Sequence, residues 1–514
     1  MDYVIGVDIG TQSTKALLCG AHGRVVAQWT ESYQPDTPAP MWAEQWPQVW
    51  LDATLACIAG CVRNGAAEPA FSPDAVRAIC ISSLYGGSGI PVDADMTPLH
   101  PALIWLDRRA NDEADWVRAN VDVARLQAIT GNGIDSFYGF PKMLWLKNHR
   151  PDVWAKTRWF VPPNAFVVQH LTGVLAIDRS SAGNIGGVYD WRRHAWSGEL
   201  LDAMGIPRSM MPERIVAPGE VVGPLTAAAG ARLGLPAGIP VLGGGIDAAM
   251  ATFAAGVTRQ GQHVAMIGTS MCWGFITRDV DAAHGLVSMP YVFGPREDIY
   301  VFGGASTAGG TVTWFRELLR DGEDGAGQGA ADLGALENAA RAIPAGAEGL
   351  VFLPYLMGER SPIWDGRASG AFVGLTLYHK RAHLYRAVLE GVAYALRHNM
   401  DAGTRGAAGG ATLDAALIVV GGAAKSDLWM QIIADVTGRP VRTIEGDVEA
   451  AMGDALLAAH AVGLADDEEV RKGWVTLRDR ALPRVETKVV YDARYAAYLA
   501  LYPALKDVMH GLRG

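Results

Sequence analysis

Cysteine is scarce in this sequence: Cys19, Cys57, Cys61, Cys80 and Cys272 are the five in 514 residues. An odd, scattered set is no disulfide framework, and it suits a reducing, cytoplasmic setting. Cys57 and Cys61 stand four apart in a helical pattern, but no second Cys or His pair accompanies them to complete a metal site. Basic residues are also in short supply. The 44 Lys and Arg against 54 Asp and Glu leave a formal net charge of −10. Nucleic acids and anionic membrane surfaces are bound by clustered cations, so neither is an expected partner. Long apolar runs are missing as well. The opening MDYVIGVDIG has no basic segment and is interrupted by Asp8, unlike a signal peptide. Residues 235–257 come nearest to a membrane span, but Pro236, Pro240, Gly243, Gly244, Gly245 and Asp247 break any helix there.

What remains is a folded chain: half of its residues are hydrophobic and 19% are charged. Its length calls for two or more domains. The chain opens with β-rich runs at residues 3–9, 14–19 and 24–30, separated by short Gly-containing turns. A similar pattern returns at residues 262–267 and 271–276, around Gly268-Thr269-Ser270. Both copies share Ile-Gly-Thr, at Ile9-Gly10-Thr11 and Ile267-Gly268-Thr269. The repeat predicts a duplicated α/β architecture, with a turn from each half facing a central cleft. The boundary falls near residues 251–256, giving domains 1–252 and 253–514. Residues 321–329 and 402–411 are rich in Gly, Ala and Asp and read as surface loops. Leu384, Val388, Val392 and Leu396 have the spacing of one helical face. So do Tyr491, Tyr495, Tyr498 and Tyr502, an aromatic stripe suited to packing.

Three segments carry candidate chemistry. In VDIGTQSTK an apolar strand runs into Asp8, then Gly10, Thr11, Gln12, Ser13 and Lys15. Such a turn aims backbone N–H groups and hydroxyls at phosphate oxygens, and a carboxylate at the strand end suits Mg²⁺. An ordinary hairpin turn would use the same residues. In VLGGGIDAAMATFAAG three glycines and Asp247 end a strand before an Ala-rich helical run. Asp247 is either a helix cap or the base that accepts a proton from an attacking hydroxyl. In AALIVVGGAAKSDLWMQIIADV a strand meets Gly421-Gly422, and a helix starts near Ser426 or Asp427. Bare backbone between strand and helix lets a nucleotide lie close, although a plain helix-start loop looks the same.

The order of these pieces resembles the FGGY carbohydrate kinases, a branch of the duplicated actin-like ATPase (ribonuclease-H-like) fold. The C-terminal signature is matched at Gly370, Phe372, Gly374-Leu375, His383-Leu384 and Ala387-Val388-Leu389-Glu390, with LPYLMGERSPIWD upstream. FYGFPKMLWLKN around Lys142 and Trp145 matches the N-terminal signature, with Gly139 where Pro, Ser or Thr is usual. MWAEQWPQVW around Glu44 and IWLDRRA around Asp107 and Arg109 are family-like too. The resemblance implies ATP and Mg²⁺ as cofactors. It puts Asp8 on the metal and Gly10, Thr11, Gln12, Ser13 and Lys15 at the first phosphate turn. Gly268 and Thr269 become the second, with Gly310 a further nucleotide contact and Gly421, Gly422 and Ser426 near adenosine. Asp247 becomes the base, and Tyr85, Asp107, Arg109 and Asp247 meet the sugar or polyol. It also points to a homodimer.

Within the family the chain is similar to the xylulokinase branch, through TGNGIDS, LTGVLAIDRSSAGN and GGVYDWR. It departs from that branch at the sugar. A Met-His pair is replaced within ISSLYGGSGIPVD, Leu106 stands for an Asn or Asp, and Ala248 stands for an amide. Losing hydrogen-bonding groups changes which hydroxyls a pocket accepts. D-xylulose is the expected acceptor, with another ketose, a polyol or a sugar acid as the alternative. Outside that class stand a non-catalytic actin-like ATPase and a sugar sensor. Retention of Asp8, both Gly-Thr turns and Asp247 argues against the sensor, and no peptide-binding or polymerisation element supports the ATPase. His379 and His383 have the four-residue spacing of zinc helices but lack the accompanying Glu, so a structural role is expected.

Overall fold

The computed structural model describes residues 1–85, 87–282, 285–320, 333–405, 412–446 and 449–513. The expected loop at 321–329, and most of that at 402–411, lie outside the described residues.

Two large sheets carry the fold. The first is built from β1 (Tyr3–Ile9), β2 (Ser13–Cys19), β3 (Val25–Ser32), β4 (Val76–Ser83), β5 (Val221–Pro224) and β6 (Pro240–Leu242), in the order β5-β6-β4-β1-β2-β3. The second holds β7 (His263–Ile267), β8 (Met271–Thr277), β9 (Val287–Pro290), β10 (Ile299–Gly303), β11 (Leu417–Val420), β12 (Val441–Ile444) and β13 (Leu477–Ala481). Its order is β9-β10-β8-β7-β11-β12-β13. In each sheet an antiparallel meander leads into two parallel neighbours and an antiparallel edge strand. Thus β3-β2-β1-β4-β6-β5 repeats as β10-β8-β7-β11-β12-β13. The expected duplication is therefore present at the level of strand order and direction, with β9 added to the second copy.

Eight helices matter for the site: α1 (Pro47–Gly65), α2 (Gly139–His149), α3 (Asp247–Ala254), α4 (Gly309–Arg320), α5 (Arg381–Arg405), α6 (Asp427–Thr437), α7 (Ala450–Ala461) and α8 (Lys488–Arg513). Strand alternation sets what each face meets. Ile5, Val7 and Ile9 of β1, Ala16 and Leu18 of β2, and Ile79 and Ile81 of β4 join Trp50 and Ile58 of α1 in one core. The alternate residues, Gly6, Asp8, Lys15, Cys80 and Ser82, belong to the opposite face, where α7 packs. Gly6 has no side chain because none fits: a Cβ there would stand 2.0 Å from Ala451 O and 2.5 Å from Ala455 N.

The helix stripe in α5 is buried at Val388, Val392 and Leu396, and Tyr491, Tyr495 and Tyr498 of α8 pack into the core. The five cysteines are free. Cys57 and Cys61 donate into β2, to Thr14 O at 3.1 Å and Ala16 O at 3.2 Å, and burial pushes both thiols up to about 12. His383 is buried at the start of α5, paired with Glu348 at 3.1 Å. Among the described residues no helix is long and apolar enough to cross a membrane.

Candidate active site

A cleft of about 380 Å³ opens where the two halves meet, lined by Asp8, Ser13, Lys15, Asp247, Ala248, Ala251, Glu449 and Ala450. Its floor follows from the fold. Strand parity puts Asp8 and its cross-strand partner Lys15 on the α7 face. Helices α3 and α7 both begin at this cleft, with Asp247 and Ala450 as their first residues. Two helix N-termini thus aim their positive dipole ends at one space, a favourable setting for phosphate.

Asp8 is surrounded by like charge. Burial first, then the carboxylates of Asp247, Asp454 and Glu449, push its carboxyl well above the ordinary range, while Ser82 opposes the shift by hydrogen bonding. Its Oδ1 is buried without a hydrogen-bond partner. Asp247 is not the helix cap: that position is Ile246. Its carboxylate accepts from Ala248 N at 2.6 Å, and burial raises its pKa to about 6. Lys15 reaches across the cleft to pair with Glu449. Asp454, one turn into α7, is fully buried, and Ser82 Oγ donates to it at 2.6 Å and Cys80 Sγ at 3.3 Å. Burial raises its pKa to about 8.

The first turn is pinned before any ligand arrives. Gly10 N donates to Ser13 O at 2.8 Å, Tyr33 N to Gln12 O at 2.9 Å, and Tyr33 hydroxyl to Gly10 O at 2.8 Å. Gln12 is exposed and its amide reaches Gln34 at 3.3 Å. Thr11 Oγ1 accepts from Trp105 Nε1 at 2.9 Å. The second turn leaves Gly268 and Thr269 exposed. The start of α4 fixes it, through Gly309 N on Gly268 O at 2.8 Å and Gly310 N on Thr269 O at 3.0 Å. The N–H of Gly310 is thereby taken, and a Cβ there would stand 3.1 Å from Thr269 O.

Parallel pairing of β7 with β11 places Gly421 beside Ile267, so the glycine pair and the second turn share one sheet edge. A Cβ on Gly421 would meet Ile267 O at 2.6 Å, whereas one on Gly422 or Gly268 would meet nothing within 4 Å. Those two face open space. Ser426 does not: its hydroxyl caps α6 by accepting from Trp429 N at 3.1 Å and donates to Glu337 at 2.9 Å.

The residues expected at the sugar fall into two groups. Tyr85 packs 4.9 Å from Phe137, with Lys142 Nζ 6.0 Å from its ring. Phe137 in turn meets Trp364 of the C-terminal half at 5.7 Å. Asp107 and Arg109 are closed off instead. The Asp107 carboxylate takes Ala43 N at 2.6 Å, Arg109 N at 3.0 Å and Arg109 Nε at 2.8 Å, and is fully buried. Arg109 also pairs with Glu44 at 2.6 Å and lies 3.7 Å over Trp42. This cluster fastens the segment that carries Leu106, which is itself 41% exposed. Gly139 has a structural cause: a Cβ there would stand 2.2 Å from Gly87 O. Glu449, Asp454, Trp105 and Arg360 are site neighbours that sequence reasoning did not single out. Of these, Asp454 has a visible signal, a charge set into the apolar run AAMGDALLAA.

Mirrored sheets, glycine turns from both halves and a carboxylate floor between two helix N-termini define an ATP-dependent phosphotransferase of the actin-like ATPase fold. The chain belongs to the FGGY family of carbohydrate kinases, whose N-terminal domain matches residues 3–254 and whose C-terminal domain matches residues 263–462. It is an ATP-dependent kinase that phosphorylates a small sugar. Xylulose kinase of Klebsiella pneumoniae is 32% identical, with 96% of each chain covered. The crystal structure of xylulose kinase from Rhodospirillum rubrum shares 31% identity and a TM-score of 0.88 over 99% of this chain and 100% of that one. Gluconate kinase from Lactobacillus acidophilus is 25% identical, with a TM-score of 0.88 over 98% of both chains.

Proposed function

We propose that the acceptor is a pentulose, with D-xylulose the first to test, and that Asp247 is the base that takes the proton of the attacking hydroxyl. The observation that carries this reading is the carboxylate of Asp247 at the head of α3. One oxygen is held by Ala248 N, and burial brings its pKa to about 6, near the working range of a general base. Phosphoryl transfer asks a protein mainly for positioning and charge stabilisation. Thr11 and Ser13 on one side, and Gly268 and Thr269 on the other, hold the phosphates between the two helix N-termini. Gly421 and Gly422 take the adenosine end. Closure of the halves excludes the water that would otherwise accept the phosphoryl group.

Mg²⁺ fits this cleft: Asp8 has a buried oxygen without a partner, and Asp247 and Glu449 add negative charge beside it. Asp8 would hold the ion, and when bound it would offset charge on the phosphate oxygens. A sugar acid is the second reading, favoured by the likeness to gluconate kinase.

The test is ADP release with Mg²⁺-ATP across pentuloses, hexuloses, polyols and aldonates, with Asp247→Ala alongside. Turnover greatest with D-xylulose and lost in the variant is the expected result. Turnover greatest with another acceptor overturns the pentulose assignment, and full activity in Asp247→Ala overturns the base.

A further inference from the structure

Away from the carboxylates, Arg360 and Trp105 also bring the two halves into contact. Arg360, in the loop between Leu353 and Asp365 of the C-terminal half, holds its guanidinium 5.6 Å from the ring centroid of Trp105 in the N-terminal half. Arg360 is itself anchored. Its Nη2 donates to Met271 O at 3.2 Å, immediately after the second Gly-Thr turn, and to Ala305 O at 3.3 Å, just past β10. Its backbone N–H donates to the Glu359 carboxylate at 2.7 Å, which Ser306 N also reaches at 2.9 Å. Trp105 sits two residues before Asp107, in the segment fastened by Asp107, Arg109 and Glu44. Its indole N–H points the other way, onto Thr11 of the first phosphate turn.

We propose that Trp105 is a positioning residue that links the sugar segment to the first phosphate turn, with Arg360 as its clamp from the opposite half. This rests on the kinase roles given above to Thr11 and the sugar segment. The physical argument concerns one hydroxyl. A threonine hydroxyl has a single proton and two lone pairs. When the indole N–H fills a lone pair of Thr11 Oγ1, the hydroxyl proton turns away from Trp105 and is left to donate to a phosphate oxygen. Arg360 adds a cation over the ring, an attraction that strengthens as water leaves. If the halves part, the ring loses that contact on the C-terminal side, and with it the cation that holds the indole toward Thr11. The relay therefore makes alignment of the phosphate turn depend on closure over the sugar.

Trp105→Phe keeps a ring under Arg360 and removes only the N–H. Arg360→Gln removes the cation, and Arg360→Lys keeps it. With the acceptor that turns over fastest in the wild type, Trp105→Phe should lower kcat about tenfold, the scale of one hydrogen bond made in the transition state. KM for sugar and for ATP should stay within about threefold. Arg360→Gln should act in the same direction, Arg360→Lys should recover most of the loss, and the Trp105→Phe, Arg360→Gln double variant should lose little more than the worse single one. Three outcomes overturn the proposal: wild-type kcat in Trp105→Phe, single losses that multiply in the double variant, or a raised sugar KM with kcat intact. Equal melting temperatures across the set exclude simple loss of fold. The wild-type ranking of acceptors reports on the pentulose assignment, whereas only the variant-to-wild-type ratios with one acceptor report on Trp105.

Discussion

Gly453 of α7 crosses Met250 of α3 so closely that a Cβ on the glycine would stand 2.3 Å from the Met250 carbonyl oxygen. The two helices connect opposite halves of the chain, and each begins at the cleft. Their crossing therefore sets the separation of Asp247 from Glu449. Alanine at 453 has to push backbone against backbone, which no rotamer change relieves. Gly453→Ala is expected to cost about 1–3 kcal/mol of stability and to lower kcat by moving the carboxylates apart. Urea unfolding and steady-state kinetics check the two parts separately. A variant with unchanged midpoint and unchanged kcat would show that the crossing is not set at this glycine.

Asp247 gives a pH prediction. A base works only when deprotonated, and burial raises this carboxyl to about 6. Activity should therefore be flat above that value and fall as pH drops through it. Asp8, raised in the same direction by burial and its neighbours, adds to the loss on the acid side, because a protonated carboxyl is a poor cation ligand. Asp247→Asn should remove about 10²–10⁴-fold of kcat with a modest change in KM for ATP. A profile of kcat/KM from pH 5 to 9 is the measurement. Activity that persists undiminished at pH 5 would remove Asp247 from the role of base.

Neighbouring glycines should behave differently. Gly421 has φ +92° and no room for a Cβ, while Gly422 faces open space. Gly421→Ala is expected to lower the melting temperature, since both its backbone conformation and Ile267 O oppose a side chain. Gly422→Val should leave the melting temperature close to wild type and raise KM for ATP by about tenfold or more, roughly 1.4 kcal/mol or more of lost nucleotide binding. Equal effects of the two on melting, with ATP affinity intact, would take the nucleotide away from this edge.

These contrasts show which parts of the molecule could be read in advance. Both Gly-Thr hairpins were legible because a short apolar run that ends in a Gly-Thr turn is a local signal, and Tyr3–Ile9 and His263–Ile267 are such runs. The helix after Asp247 and the cap at Ser426 were legible for the same reason. What the residues could not announce is contact across several hundred positions. Asp454 meets Ser82, and Lys15 meets Glu449, only because α7 returns from the far end of the chain to lie on β1 and β4. Asp107 and Arg109 illustrate the converse. Their types suit a sugar pocket, yet the Asp107 carboxylate is taken up by Arg109 and Ala43, and Arg109 also pairs with Glu44 and lies over Trp42, which leaves only its Nη1 buried without a partner.

Asp454 supplies the last prediction, on stability. In the unfolded chain its carboxyl titrates in the ordinary range near 4, and in the folded protein burial holds it at about 8. Between those values folding takes up a proton, so this group's contribution to stability is fully present below about 4 and is lost as pH rises toward 8. Asparagine has the same shape, keeps hydrogen-bonding groups for Ser82 and does not titrate. The difference in unfolding free energy, Asp454→Asn minus wild type, should therefore grow steadily in the variant's favour from pH 5 to 8 and level off above. Taking the difference cancels the other titrating groups that both proteins share except Asp8, whose carboxyl the charge on Asp454 helps to raise and whose response the acid limb of the activity profile reports separately. Urea unfolding at half-unit intervals gives the curve. A difference independent of pH would mean that Asp454 is ionised in the folded protein and that Ser82 and Cys80 stabilise its charge.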